Sequence, residues 1–177
     1  MPIGIVATLP EPFDTSVRTI WHDLEREFGV KNSAEATPPH ITLHVAEMYR
    51  RQALQTALTK WAKTATPCPI RTWGIGVFSG TQPIVFIGVT RTQELSALHD
   101  SIFSLSQMYS VNHVPIFEPF TWEPHITLAH EGVSAENIGS IVAYLNQHAI
   151  TWEFPITSLS LIEAQHNETV ICHTVTL

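Results

Sequence analysis

Charge is the first thing this chain is short of. Only 14 % of its 177 residues are Asp, Glu, Lys or Arg, against about 25 % in an ordinary soluble domain. Basic residues are the scarcest: nine Lys and Arg stand against sixteen Asp and Glu, a formal charge of −7. Such a chain lacks the broad basic footprint through which long nucleic acids release counterions, which excludes a long duplex as partner. A small anion held by a few local groups stays open. Cysteine is nearly absent. Cys68 and Cys172 lie far apart and neither belongs to a CxxC pair, so there is no cysteine metal framework and nothing asks for an oxidising compartment. No apolar run approaches the ~20 residues that span a bilayer. The stretch from Met1 to Ala7 has neither the basic start nor the apolar length of a signal peptide. These absences predict a cytoplasmic protein without membrane attachment. A GxxxxGK[ST] phosphate loop is missing too, Gly74 and Gly76 notwithstanding.

Apolar residues, by contrast, make up 44 % of the chain, enough for a real core. Ten histidines hint at site chemistry, because imidazole titrates near neutral pH. The apolar residues alternate between two periods. Strands are predicted at Gly4–Leu9, His40–Val45, Ile70–Phe78, Ile84–Val89, His125–Ala129, Trp152–Ile162 and Thr169–Thr176. Helical spacing links Val17, Ile20, Leu24 and Phe28, with Asp14 or Thr15 as N-cap and Gly29 as the stop. A second helix carries Leu54, Leu58 and Trp61. A third follows Thr92 through Leu95, Leu98, Ile102, Leu105 and Tyr109, and a fourth follows Ser134 through Ile138, Ile141, Val142 and Leu145. A long loop is expected over Val111–Pro124. Strand-helix-strand-helix-strand therefore occurs twice, over about residues 1–80 and 81–177, with one strand left over.

Five consecutive residues recur at the same station of that order. Pro39-His40-Ile41-Thr42-Leu43 and Pro124-His125-Ile126-Thr127-Leu128 each begin the second strand of their half, about half the chain apart. Internal duplication explains this better than chance, and implies two similar lobes around a cleft with a pseudo-twofold axis. Side chains alternate along a strand, so His40, Thr42 and His44 share one face while Ile41, Leu43 and Val45 share the other. His125 and Thr127 oppose Ile126 and Leu128 in the same way. With the apolar faces packed under helices, two imidazoles and two hydroxyls converge. Two Thr hydroxyls suit the non-bridging oxygens of a phosphodiester. One neutral imidazole can deprotonate an attacking water while the other, protonated, donates to the departing oxygen, each contributing roughly 10²–10⁴ in rate. Unperturbed imidazole pKa values of about 6.5 make both states accessible at one pH.

A duplicated chain of this size with paired His-x-Thr motifs resembles the two-histidine (2H) phosphoesterases, most closely the bacterial 2′-5′ RNA ligase-like proteins, over essentially its whole length. The resemblance implies a bilobal α+β fold, with two antiparallel sheets flanked by helices around a central cleft. It implies a metal-independent cyclic phosphodiesterase acting on 2′,3′-cyclic phosphates of nucleotides or RNA 3′ ends, giving the 2′-phosphate, with no cofactor. It assigns His40 and His125 as the catalytic pair and Thr42 and Thr127 as phosphate binders, without saying which histidine is base. A monomer with a small cyclic nucleotide or an RNA 3′-terminal cyclic phosphate as partner is expected. A nucleotide (AMP-like) binding module and a 2′-5′ RNA end ligase or trimming enzyme are the alternatives. Many relatives carry arginine just after the second motif, in His-x-Thr-Leu-Ala-Arg. Here His130 stands there, a weaker and titratable group, which argues against tight binding of an RNA terminus.

Other residues have plainer expectations. His44, Phe120 and His130 are candidates for substrate binding, with Phe120 the best stacking residue of the trio Phe117, Phe120 and Trp122. Imidazoles at 40, 44, 125 and 130, with Glu47 or Glu131, meet the ligand count of zinc but not a familiar ligand spacing, and strict alternation puts His130 opposite His125. No metal is expected. His173 reads as a satisfied core histidine. His22, His99 and His148 read as solvated helix residues, and Arg50 and Arg51 as a solvated helix start.

Overall fold

The computed structural model describes residues 3–31, 37–165 and 168–177. In chain order it contains β1 (Ile3–Thr8), α1 (Phe13–Phe28), β2 (His40–Tyr49), α2 (Arg51–Ala62), β3 (Cys68–Phe78), β4 (Ile84–Val89), α3 (Gln93–Gln107), β5 (Ser110–His113), a 3-10 turn at Pro115–Phe117, β6 (His125–Ala129), α4 (Ile138–Leu145), β7 (Glu153–Ile156), β8 (Ser158–Gln165) and β9 (Glu168–Thr176). Five strands form one sheet in the order β5-β2-β1-β8-β9, and four form the other as β6-β4-β3-β7. Every pairing is antiparallel. The expected α+β architecture of two antiparallel sheets with helices is therefore the one the chain adopts.

The two halves exchange strands. β3 closes the first half of the sequence but pairs with β4 in the sheet of β6. β8 comes from the second half and pairs with β1. Each motif strand thus sits in a sheet built from both halves. One apolar cluster joins Ile5 and Leu43 of the first sheet to Ile87 and Ile126 of the second, with Leu24, Leu54, Leu95 and Ile141 from the four helices. Burial of each such side chain stabilises the fold by about 1.5–3 kcal/mol.

Several element boundaries differ from the sequence reading. The helix expected to be capped by Asp14 or Thr15 already begins at Phe13. Asp14 pairs with Arg18 at 2.6 Å, and the Thr15 hydroxyl donates to Glu11. Gly29 does end it, at φ 66° in the left-handed region, donating its N–H to Glu25 O. Thr92 caps α3, accepting from Leu95 N–H at 3.1 Å. Ser134 does not cap α4 directly: its hydroxyl accepts from Glu136 N–H in a turn, and the helix starts at Ile138. The long loop holds β5 and the 3-10 turn. The single strand expected over Trp152–Ile162 is two, β7 and β8, which lie in different sheets. Its buried positions change parity, from Phe154 and Ile156 to Leu159 and Leu161, and Thr157 is the residue at which the chain crosses over.

The same irregularity occurs in both motif strands. Val6 opposes Thr42 but Ile5 opposes His44, leaving Leu43 extra on β2. Phe86 opposes Thr127 but Val85 opposes Ala129, leaving Leu128 extra on β6. A bulge of this kind reverses the inward–outward alternation beyond it. In each half it falls directly after the threonine of the repeat.

Candidate active site

The first residue of each motif strand is its histidine. Thr8 opposes His40 and Gly88 opposes His125. The chain enters both strands alike, with Leu9 N–H donating to Pro39 O and Val89 N–H donating to Pro124 O. Ile41, Leu43, Ile126 and Leu128 are buried in the core, so His40, Thr42, His125 and Thr127, all half-buried, face the other way. β2 and β6 approach one another, and charge on His125 disfavours protonation of His40.

The two imidazoles are anchored identically. His40 Nδ1 lies 2.8 Å from Pro38 O, and His125 Nδ1 lies 2.7 Å from Glu123 O. A carbonyl oxygen only accepts, so each Nδ1 carries the proton and each neutral ring presents a lone pair at Nε2. Burial holds both rings below the usual imidazole pKa. For His40 the Pro38 carbonyl opposes this and the charge of His125 adds to it. For His125 both the carbonyl and the carboxylate of Glu123 oppose it.

The threonine backbones are held by indoles from the opposite half. Trp122 Nε1 donates to Thr42 O at 2.8 Å, and Trp21 Nε1 donates to Thr127 O at 3.0 Å. Both carbonyls lie directly before a bulge, where the ladder is interrupted. Trp122 is buried, stacks on His99 at 3.8 Å and 5°, and has the Arg91 guanidinium over its ring. Arg91 in turn donates to Trp122 O at 2.9 Å and to Pro119 O. The sequence shows the tryptophans but not this crossed arrangement.

Beside His125 stands an aromatic wall. Phe78 lies edge-on to the imidazole at 4.8 Å and Phe86 at 5.2 Å, and the two phenyl rings are 4.2 Å apart. Phe86 lies over Gly76, where a Cβ would come within 2.3 Å of its ring. Trp73 lies over Gly88, where a Cβ would come within 2.0 Å. Aromatics interleaved with glycines over Trp73–Phe78 and Phe86–Gly88 are the sequence signal for this wall.

A family model described as the 2′-5′ RNA ligase superfamily matches residues 9–168. The chain belongs to that superfamily. No curated protein sequence matches it. Among solved structures, TT0787 of Thermus thermophilus is similar with TM-score 0.66 and 18 % identity, covering 100 % of this chain and 98 % of that one. Escherichia coli LigT, solved with 3′-AMP, gives TM-score 0.56 and 15 % identity, covering 99 % and 96 %. Kluyveromyces marxianus Usb1, solved with uridine monophosphate, gives 0.51 and 13 %, covering 99 % and 98 %. At these identities the likeness is one of fold.

In this superfamily member two of the other singled-out histidines are buried in the core. His44 does not share the face of His40 and Thr42: the bulge at Leu43 turns it inward, and it is 0 % exposed. It bonds through Nδ1 to the Tyr49 hydroxyl, packs against Phe103 and His113, and is held down to a pKa of about 4 by burial first, then by His113 and His99. His99 is not solvated. It lies on the buried stripe of α3 with Leu95, Leu98 and Ile102, and donates Nε2–H to Leu43 O at 2.9 Å. Phe120 is 98 % exposed and stands out in solvent, Phe117 is half-buried against the core, and Trp122 is structural.

His130 follows β6, with its N–H bonded to Lys31 O at 3.1 Å. By the shifted register position 130 falls on the side of Thr127, contrary to strict alternation. His173 is half-buried, 3.1 Å from the Thr59 hydroxyl. His22 is exposed. Arg51 pairs with Glu163 at 2.7 Å, and Arg50 donates to Met108 O over the Tyr109 ring. Among the described residues no three His, Cys, Asp or Glu side chains gather as a metal site, and no helix is long and apolar enough to cross a membrane.

Proposed function

We propose that the protein hydrolyses 2′,3′-cyclic phosphates of nucleosides or of RNA 3′ ends to monoesters, using His40 and His125 for both proton transfers. The observation that carries this reading is the matched anchoring of the two imidazoles, each with Nδ1–H on the carbonyl two residues upstream and Nε2 left for proton exchange. Thr42 and Thr127 supply hydroxyls to the non-bridging oxygens of the phosphate. That LigT was solved with 3′-AMP and ATP, and Usb1 with uridine monophosphate, supports a nucleoside phosphate as the ligand class.

The two histidines are not electrostatically equal, and this divides their roles. Glu123 favours the charged form of His125, and the repulsion between the two rings, which is mutual, then leaves His40 as the neutral one. His40 is then the base and His125 the acid. His40 Nε2 takes a proton from water as the water oxygen bonds to phosphorus. The phosphorus–oxygen bond to the ribose breaks, and the departing oxygen takes the Nε2 proton of His125. Exchange with solvent restores both rings.

The test is incubation with 2′,3′-cyclic mono- and oligonucleotides, with and without EDTA, resolving 2′ from 3′ products. Monoester formed in EDTA, and lost in both His40→Ala and His125→Ala, is the expected result. Full activity in His125→Ala overturns the paired mechanism. Binding of AMP with no product from any cyclic phosphate leaves a nucleotide-binding module instead.

A further inference from the structure

The sheet faces that carry the two histidines present different chemistry. On the sheet carrying His40, the position opposite Thr42 is Val6, and Val6 faces Ser160. Ser160 shares a hydrogen bond with Thr174 at 2.9 Å, and Thr8 with Ser158 at 3.3 Å. That side is lined with hydroxyls. On the sheet carrying His125, the equivalent of Val6 is Phe86 and the equivalent of Ser160 is Gly76. That side is aromatic.

Trp73 is the outermost member of the aromatic side. It is the extra residue of a bulge in β3, because Thr72 opposes Val89 while Gly74 opposes Gly88. Gly74 takes φ 128°, a conformation L side chains rarely adopt. The bulge brings the Trp73 indole over Gly88, whose partner on β6 is His125. An indole so placed would ordinarily be covered, yet Trp73 is 52 % exposed. A rigid, half-open ring beside a proton-transfer group suits the face of another planar ring, and stacking of this kind tolerates any base.

We propose that Trp73 is the stacking surface for the nucleobase of the substrate, placing the nucleoside on the His125 side of the cleft. The inference rests on the cyclic-phosphate reading above and deepens it. The ribose oxygen then departs toward His125, in agreement with its part as acid, and water enters from the hydroxyl-lined side of His40.

The test compares two substrates, 2′,3′-cyclic AMP and the base-free ribose 2′,3′-cyclic phosphate, in wild type, Trp73→Ala and Trp73→Phe. The readout is the ratio of kcat/KM on the first to that on the second. Wild type favours the nucleotide, Trp73→Ala lowers the ratio about 10- to 100-fold, and Trp73→Phe keeps most of it. An unchanged ratio in Trp73→Ala overturns the proposal, whether both substrates suffer equally or neither does. Should wild type hydrolyse neither substrate, the phosphodiesterase reading fails by itself. Titration with AMP then decides the ring site: fluorescence quenching that vanishes in Trp73→Phe supports it, and quenching identical in both proteins, or absent from wild type, overturns it.

Discussion

The indole of Trp122 donates to the carbonyl oxygen of Thr42 at 2.8 Å across 80 residues of sequence. It ties the bulged motif strand of one half to the loop that leads into the motif of the other. Replacing it with phenylalanine leaves the Thr42 carbonyl without this donor. Trp122→Phe is expected to lose about 1–3 kcal/mol for that group, read by urea unfolding, and to lower kcat because Thr42 is no longer held in place.

In the proposed mechanism the two histidines act as a unit. His40→Ala and His125→Ala are each expected to slow cyclic phosphate hydrolysis by roughly 10²–10⁴. The double variant should be little worse than either single one. Initial rates of monoester release measure both statements, and additive losses would contradict the second.

In the proposed mechanism the threonines meet the phosphate through their hydroxyls alone. Thr42→Val and Thr127→Val keep the β-branched shape while removing the donor, and each is expected to reduce kcat about 10²–10³. Far-ultraviolet circular dichroism should not change. A rate unaffected in both variants would remove the hydroxyls from the mechanism.

Burial holds both motif imidazoles, His40 and His125, below their ordinary pKa of about 6.5. The base works above its pKa and the acid below its own. With both values under 6.5, the bell-shaped profile of kcat/KM, which reports the free enzyme, is expected to peak on the acidic side of 6.5. An optimum near pH 8 would contradict the environments of both rings.

His44 titrates with stability rather than activity. Its pKa in the folded chain is about 4 and about 6.5 unfolded, so the unfolded state binds the proton more readily between these values. The stabilisation is complete above pH 6.5 and is lost as pH falls toward 4, by about 3 kcal/mol. His99, also lowered chiefly by burial, acts in the same direction. Urea melts from pH 7 to 4 should show the loss, and His44→Phe should flatten part of the slope.

Much of the fold was legible because it rests on local periodicity. The strand Ile84–Val89 and the Thr92 cap stand where the apolar pattern and the capping preference put them. Local periodicity misleads where an extra residue changes parity. Leu43 and Leu128 are ordinary strand residues in sequence, and nothing local marks them as bulged. His44 was therefore expected beside His40 when it lies in the core. His99 looked solvated because a helix carries no mark of which neighbour covers it.

Sequence alone determined the repeated Pro-His-Ile-Thr-Leu, and with it the identity of four side chains able to meet a phosphate. Repetition and strand alternation are properties of the chain itself. Tertiary structure decided that the halves exchange strands, that each tryptophan secures the other half's threonine, and that aromatics stand on the sheet face of His125 and hydroxyls on that of His40. These depend on contacts between residues distant in sequence, and on register, which one unpaired residue is enough to reverse.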